Sequence, residues 1–179
     1  KSGKGDEAAM SHTSSLAANH KIISGALAQA GVTEAGDFHQ MMDLCRSLSA
    51  RPRPAGRHGR IAVLTFSGGS GIVASDFIEE HGLTVAELSR ETKDALGRLF
   101  PDWMPVGNPV DLWPAIEKHG GTNVDVYGTA LAAVLNDPCV DAVFLHTFAG
   151  NYRIGINVTD IAEQTLTEGK TVFVWLLGI

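Results

Sequence analysis

The sequence predicts an α/β fold in which an open parallel sheet carries helices on both faces. Three observations point to it. From Arg60 onward, strand-length apolar runs alternate with helix-length segments, the pattern that builds parallel sheets through crossover helices. The run RIAVLTF (60–66) is apolar after Arg60 apart from Thr65, as a strand covered on both faces requires. It breaks into Ser67, Gly68, Gly69, Ser70 and Gly71, and IVASDFIEEHG (72–82) then has a helical pattern.

Residues 1–20 are rich in Gly, Ser, Ala and Lys and read as a loop ending in small residues. Residues 22–30 space Ile22, Ile23, Ala26, Leu27 and Ala30 as a helix, and Gly31 stops it. Residues 37–48 place Phe38, Met41, Met42, Cys45 and Leu48 on one helical face behind Asp37 as N-cap. The two methionines are expected in core packing. Residues 51–60 mix Arg with Pro and Gly and read as a linker. After the helix at 72–82, closed by Gly82, residues 83–88 (LTVAEL) read as a short strand. Ser89 caps a helix over 89–100, and 102–114, with three prolines, is a loop. A helix over 123–137, a strand over 140–148, a helix over 156–169 and a strand over 171–179 complete the alternation. The last strand is apolar throughout and calls for a covering helix, so the chain is expected to be a fragment of a longer protein.

Composition narrows the function classes. Apolar residues make up 44% and charged residues 19%, as in globular proteins. The net charge of −6 disfavours nucleic acid as a partner. No apolar run is long enough for a membrane helix, and the first ten residues lack a signal-peptide core. Cys45 and Cys139 have no metal-ligand spacing, and reduced thiols in the cytoplasm are expected.

The glycine-rich turn carries the chemistry. A helix that starts directly after a strand leaves unpaired N–H groups aimed at an anion. That anion could be a cofactor pyrophosphate, a nucleotide or a phosphate borne by the protein; a tight turn with no ligand is the plainer alternative. Gly69, Gly71 and Ala74 also match G-x-G-x-x-A, and Glu87 follows at ribose-binding distance along the chain, so a dinucleotide site of an oxidoreductase is a second reading. His12 lies in MSHTSSLA among small neighbours that leave its ring accessible. A neutral imidazole is a good nucleophile near neutral pH. The other six histidines read as surface or packing residues, and no pair has the spacing of a helical metal site.

The ordered set KSG…SHTSSLA, QAGV, SGGSG, EEHGL, LSRETKDAL and GNPVDL resembles the NDP-forming acyl-CoA synthetases of the succinyl-CoA synthetase superfamily, over nearly the whole chain. The resemblance implies a flavodoxin-like, truncated sheet domain over 58–179. The phosphohistidine loop, the helical tail of the preceding domain and a linker then occupy 1–57. It implies an acid–thiol ligase that interconverts acyl-CoA, phosphate and NDP with acid, CoA and NTP. His12 would carry the phosphoryl group. Ser67, Gly68, Gly69, Ser70 and Gly71 would steady it, with Asn108 and Asp111 as loop residues. No metal is assigned to this segment, and no cofactor is expected on it alone. CoA, ATP or ADP and Mg2+ belong to the complete enzyme, with a CoA-binding domain and an ATP-grasp domain or subunit as partners in an oligomer. Ser14 and Ala18 stand where the family pattern has glycines. That departure motivates a third reading, a non-catalytic module that senses CoA or nucleotide.

Overall fold

The computed structural model describes residues 4, 8, 19–50, 58–120, 122, 124–149 and 158–178. His12, Ser14 and Ala18 lie outside the described residues. The chain divides into two compact units, Lys1–Pro52 and Arg53–Ile179.

In the first unit, α1 (His20–Gln29) starts where the Asn19 side chain accepts the Lys21 amide at 3.0 Å. The second helix, α2 (Phe38–Ala50), starts at Asp37 as expected: its Oδ1 accepts the Gln40 amide at 2.8 Å. The expected core role of Met41 and Met42 is corrected. Both are exposed, with Phe38 and Leu48 on the same stripe. The period makes the helix, but no described residue covers its apolar stripe.

The second unit is a five-stranded parallel sheet. The central strand β1 (Arg60–Thr65) pairs with β2 (Thr84–Val85), β3 (Val110–Asp111) and β4 (Ala142–Ala149), and β4 pairs with β5 (Thr171–Gly178). The helices are α3 (Gly68–Glu80), α4 (Arg90–Gly97), α5 (Trp113–Lys118), α6 (Val126–Leu135) and α7 (Val158–Glu168). Alternate residues of β1 and β4 feed two cores. Ala62, Leu64, Val143 and Leu145 join the larger one, with residues such as Leu96, Ala115, Leu131 and Ile161 from α4 to α7. Ile61, Val63 and Ala142 join the smaller one, under Ile78 of α3. Helices therefore cover both faces. Beyond Val172 the side chains of β5 stand exposed, and no described element covers them.

Two short strands share one edge of β1 in succession. Arg60 and Ile61 face β2, while Leu64 and Thr65 face β3. The gap between them is filled by one side chain. Asn108 Nδ2 donates to the carbonyls of Ile61 and Ala86, each at 2.9 Å, and its Oδ1 accepts the Val63 amide at 2.8 Å. A primary amide carries the donors and acceptor of a peptide group, so it continues the ladder where no strand runs. Counting β2 and β3 as one interrupted strand, the order becomes that of a flavodoxin-like sheet, with the reversal between β1 and β4.

Local differences from expectation have local causes. The loop over 102–114 holds β3, which is two residues long and carries no periodicity. The strand over 83–88 is only Thr84–Val85, because the side chain of Asn108 takes over the pairing. The helix after β1 begins at Gly68, inside the glycine run, because Ser67 caps it. Ser89 caps α4 as expected, its Oγ accepting the Thr92 amide at 3.2 Å.

At the opposite end of β1, Arg60 clamps β4. Its Nε reaches Asp141 Oδ2 and a terminal nitrogen reaches Oδ1, both at 3.0 Å, while the Arg60 amide also donates to Oδ2. These hydrogen bonds, with the Arg60 charge, hold the Asp141 carboxyl down at about 2. Because the folded value lies below the unfolded one, this contribution is complete above the unfolded carboxylate range and is lost as pH falls through the folded value.

Two outcomes are expected. Asn108→Ala orphans the Val63 amide and the Ala86 carbonyl and should lower unfolding free energy by about 2–4 kcal/mol in urea titrations. Asn108→Asp should not restore it, since a carboxylate faces two carbonyls; near-wild-type stability in either variant would contradict the plug. For Asp141, urea midpoints should fall as pH drops from about 4 towards about 2. Asp141→Asn should flatten that segment, and an unaltered slope would count against the clamp.

Candidate functional site

The site is built from the carboxyl end of β1. Ser67 is extended (φ −138°, ψ 114°), and its Oγ accepts the Ser70 amide at 3.4 Å. The Ser67 carbonyl accepts the Gly71 amide at 3.0 Å. Of the five residues expected to form an anion cradle, Ser70 and Gly71 therefore spend their amides inside the turn. The amides of Gly68 and Gly69 have no acceptor among the described residues, and both glycines are exposed. They occupy the first two helical positions, where the macrodipole is positive.

Gly71 is buried against the loop that leads into β3. A Cβ there would meet Pro109 Cβ at 3.0 Å and Thr65 Cγ2 at 3.3 Å. Asn108 thus fixes β3 on β1, and Pro109 sets how closely α3 approaches. Asp111 comes next: its Oδ1 accepts the Trp113 amide at 3.1 Å, and its Oδ2 lies 3.0 Å from where a Gly68 Cβ would be. The structure thus brings Asn108 and Asp111 to the glycine turn. Asn108 is a strand-edge plug, and Asp111 puts a carboxylate beside the helix start.

Beneath the turn lies a polar cluster that sequence reasoning did not single out. The buried Thr65 hydroxyl accepts the Ser67 amide at 3.0 Å, and His146 Nδ1 lies 3.0 Å from the same oxygen. The Tyr127 hydroxyl donates to the His146 carbonyl at 3.2 Å, and burial pushes that phenol up to about 12. A threonine ending apolar β1 and a histidine in apolar β4 were the visible signal; the distances were not readable from it. Among the described residues, no group of three or more His, Cys, Asp or Glu is placed to hold a metal.

Comparison with known proteins gives the family. A model of the "Succinyl-CoA ligase like flavodoxin domain" matches residues 1–48, and a model of the "Ligase-CoA domain" matches residues 61–167. The chain belongs to the NDP-forming acyl-CoA synthetase family. Within that family it is similar to acetate–CoA ligase [ADP-forming] II of Archaeoglobus fulgidus, with 34% identity over 99% of this chain and 26% of that protein. It is also similar to the alpha subunit of acetate–CoA ligase [ADP-forming] II of Pyrococcus furiosus, with 36% identity over 96% of this chain and 35% of that subunit. Among solved structures, it matches a Ca. Korarchaeum cryptofilum dinucleotide forming acetyl-coenzyme A synthetase 1 in complex with phosphate and ADP. The TM-score is 0.78 at 25% identity, over 99% of this chain and 37% of that one. The chain spans between a quarter and two fifths of these synthetases' lengths.

The oxidoreductase reading gives way to this family. Gly71 uses its amide internally, and Glu87 is an exposed residue paired with Lys93. The sensing-module reading is not favoured either, since the curated relatives are ligases. Two substitutions test the packing of the turn. Gly71→Ala must displace Pro109 or Thr65 and should cost about 1–3 kcal/mol of stability. Gly69→Ala, whose Cβ would meet its nearest atom only at 4.0 Å, should stay within about 0.5 kcal/mol. Denaturant titrations giving equal losses would contradict this geometry.

Proposed function

We propose that this chain is the phosphoryl-handling part of an NDP-forming acyl-CoA synthetase, an acid–thiol ligase. The observation that carries the reading is the pair of unspent amides at Gly68 and Gly69, beyond the end of β1 at the sheet's reversal point. Open parallel sheets bind ligands there. The A. fulgidus and P. furiosus relatives are ADP-forming ligases, and the K. cryptofilum structure holds phosphate and ADP.

In this reading, residues 1–57 bear the histidine segment and the linker, and 58–179 form the stabilising sheet domain. His12 attacks the phosphorus of an acyl phosphate. A P–N bond forms, the P–O bond to the acyl group breaks, and the carboxylate leaves. The Gly68 and Gly69 amides and the helix dipole hold the phosphoryl oxygens. Phosphoryl transfer depends on such placement and charge stabilisation more than on covalent help. Ser67, Ser70 and Gly71 shape the turn, and Asn108 holds it in place. The Asp111 carboxylate beside Gly68 repels an incoming dianion, so the two amides must hold the phosphoryl group against that charge.

The phosphoryl group then passes to a nucleoside diphosphate on an ATP-grasp domain or subunit, and a CoA-binding domain supplies the thiol. CoA and ADP or ATP are cofactors and substrates of the complete enzyme. Mg2+ is assigned to the nucleotide on the ATP-grasp domain or subunit and enters no step here. No described helix is long and apolar enough to cross a membrane. The free thiols of Cys45 and Cys139 suit the cytoplasm.

The test is phosphorylation of the full-length protein with labelled ATP and magnesium. The wild type should carry an acid-labile, base-stable label, and His12→Asn should carry none. A label that persists in His12→Asn would remove the relay role from this residue.

A further inference from the structure

His146 sits on β4, is only 1% exposed and has an imidazole that the proposed reaction does not use. Its ring is sandwiched between Phe66, with centroids 4.5 Å apart, and Trp175, at 4.4 Å. Trp175 is its direct neighbour across the β4–β5 register. Nε2 is buried without a hydrogen-bond partner. The polar contact recorded for the ring is Nδ1 to Thr65 Oγ1, at 3.0 Å.

The Thr65 hydroxyl has one proton and three partners. It accepts the Ser67 amide at 3.0 Å, lies 3.1 Å from the Ser67 carbonyl and meets His146 Nδ1. All three contacts are satisfied together only if the hydroxyl donates to the Ser67 carbonyl and Nδ1 carries the proton donated to Thr65. Burial lowers the imidazole's pKa and keeps the ring neutral, so Nδ1–H with a bare Nε2 is the tautomer that fits. Ser67 is the residue whose Oγ and carbonyl consume the Ser70 and Gly71 amides. A chain of contacts therefore runs from His146 through Thr65 to Ser67, and Ser67 decides which amides stay free.

We propose that His146 is a positioning residue for phosphate: its Nδ1–H fixes the Thr65 hydroxyl, which sets the Ser67 cap and so aims the Gly68 and Gly69 amides. The proposal rests on the phosphate reading of that helix start. It differs from a packing role in the atom that matters. Asn places an N–H near the position of Nδ1, whereas Gln places its amide near Nε2 and fills the slot better. A packing role therefore ranks Gln above Asn, and a positioning role ranks Asn above Gln.

The experiment uses the full-length protein with inorganic phosphate as the varied substrate, acyl-CoA and ADP being saturating. His146→Gln should raise the KM for phosphate about tenfold, the scale of one lost hydrogen bond, with kcat changed less than about threefold. His146→Asn should recover most of that loss. Thr65→Val, which keeps the shape and deletes the hydroxyl, should reproduce the His146→Gln defect with the histidine intact, which covers the case of a His146 variant that does not fold. An unchanged KM in Thr65→Val, or Gln equal to or better than Asn, overturns the role of His146 while wild-type turnover leaves the phosphate reading standing. A wild type with no phosphate-dependent turnover overturns both.

Discussion

The second unit depends on one side chain that stands in for a stretch of backbone. β1 is the central strand, yet one of its edges is served by two dipeptide strands that do not meet. Asn108 closes the break with one acceptor and two donors. Its successors along the chain are thereby held in place. Pro109 rests where a side chain on Gly71 would go, and Asp111 rests beside Gly68. The start of α3 is therefore located by hydrogen bonds made on the neighbouring edge of the sheet as well as by its own cap.

That placement determines how many amides the turn can offer. A helix start has four donors without intrahelical acceptors. Here the Ser67 amide goes to Thr65 Oγ1 and the Ser70 amide to the Ser67 side chain, while Gly71 is the first to bond back to the Ser67 carbonyl. The remainder is the pair at Gly68 and Gly69. Their setting is not uniformly positive. A helix terminus favours an anion by about 0.3–1 kcal/mol at the surface, and a nearby carboxylate opposes it on a comparable scale in water. On the proposed phosphate reading, direct hydrogen bonds would therefore have to supply the preference, and the aim of the two amides would matter more than the dipole. In the proposed role, Thr65 and His146, both buried, would act on that aim from below, where a misplaced polar contact is costly.

Much of this was legible in the sequence. The alternation of apolar runs and helical segments gave the parallel sheet, because burial on both faces leaves a continuous apolar signature in β1 and β4. Ser89 and Asp37 were readable as caps because capping is local. SHTSSLA, SGGSG and GNPVDL together pointed to the family. The illegible part is non-local. β3 is two residues long and leaves no period. The role of Asn108 depends on carbonyls 47 and 22 positions away, and the link between Thr65 and His146 spans 81. The exposure of Met41 and Met42 was missed for a related reason: helical spacing shows which face is apolar, but not whether anything lies against it.

The most direct measurement is a crystal structure of the full-length protein soaked with phosphate or treated to phosphorylate His12. The account predicts phosphate oxygens at about 3 Å from the backbone nitrogens of both Gly68 and Gly69, with Ser67 still capping the helix. A phosphate seated elsewhere, or those two amides taken by the Asp111 carboxylate, would contradict it.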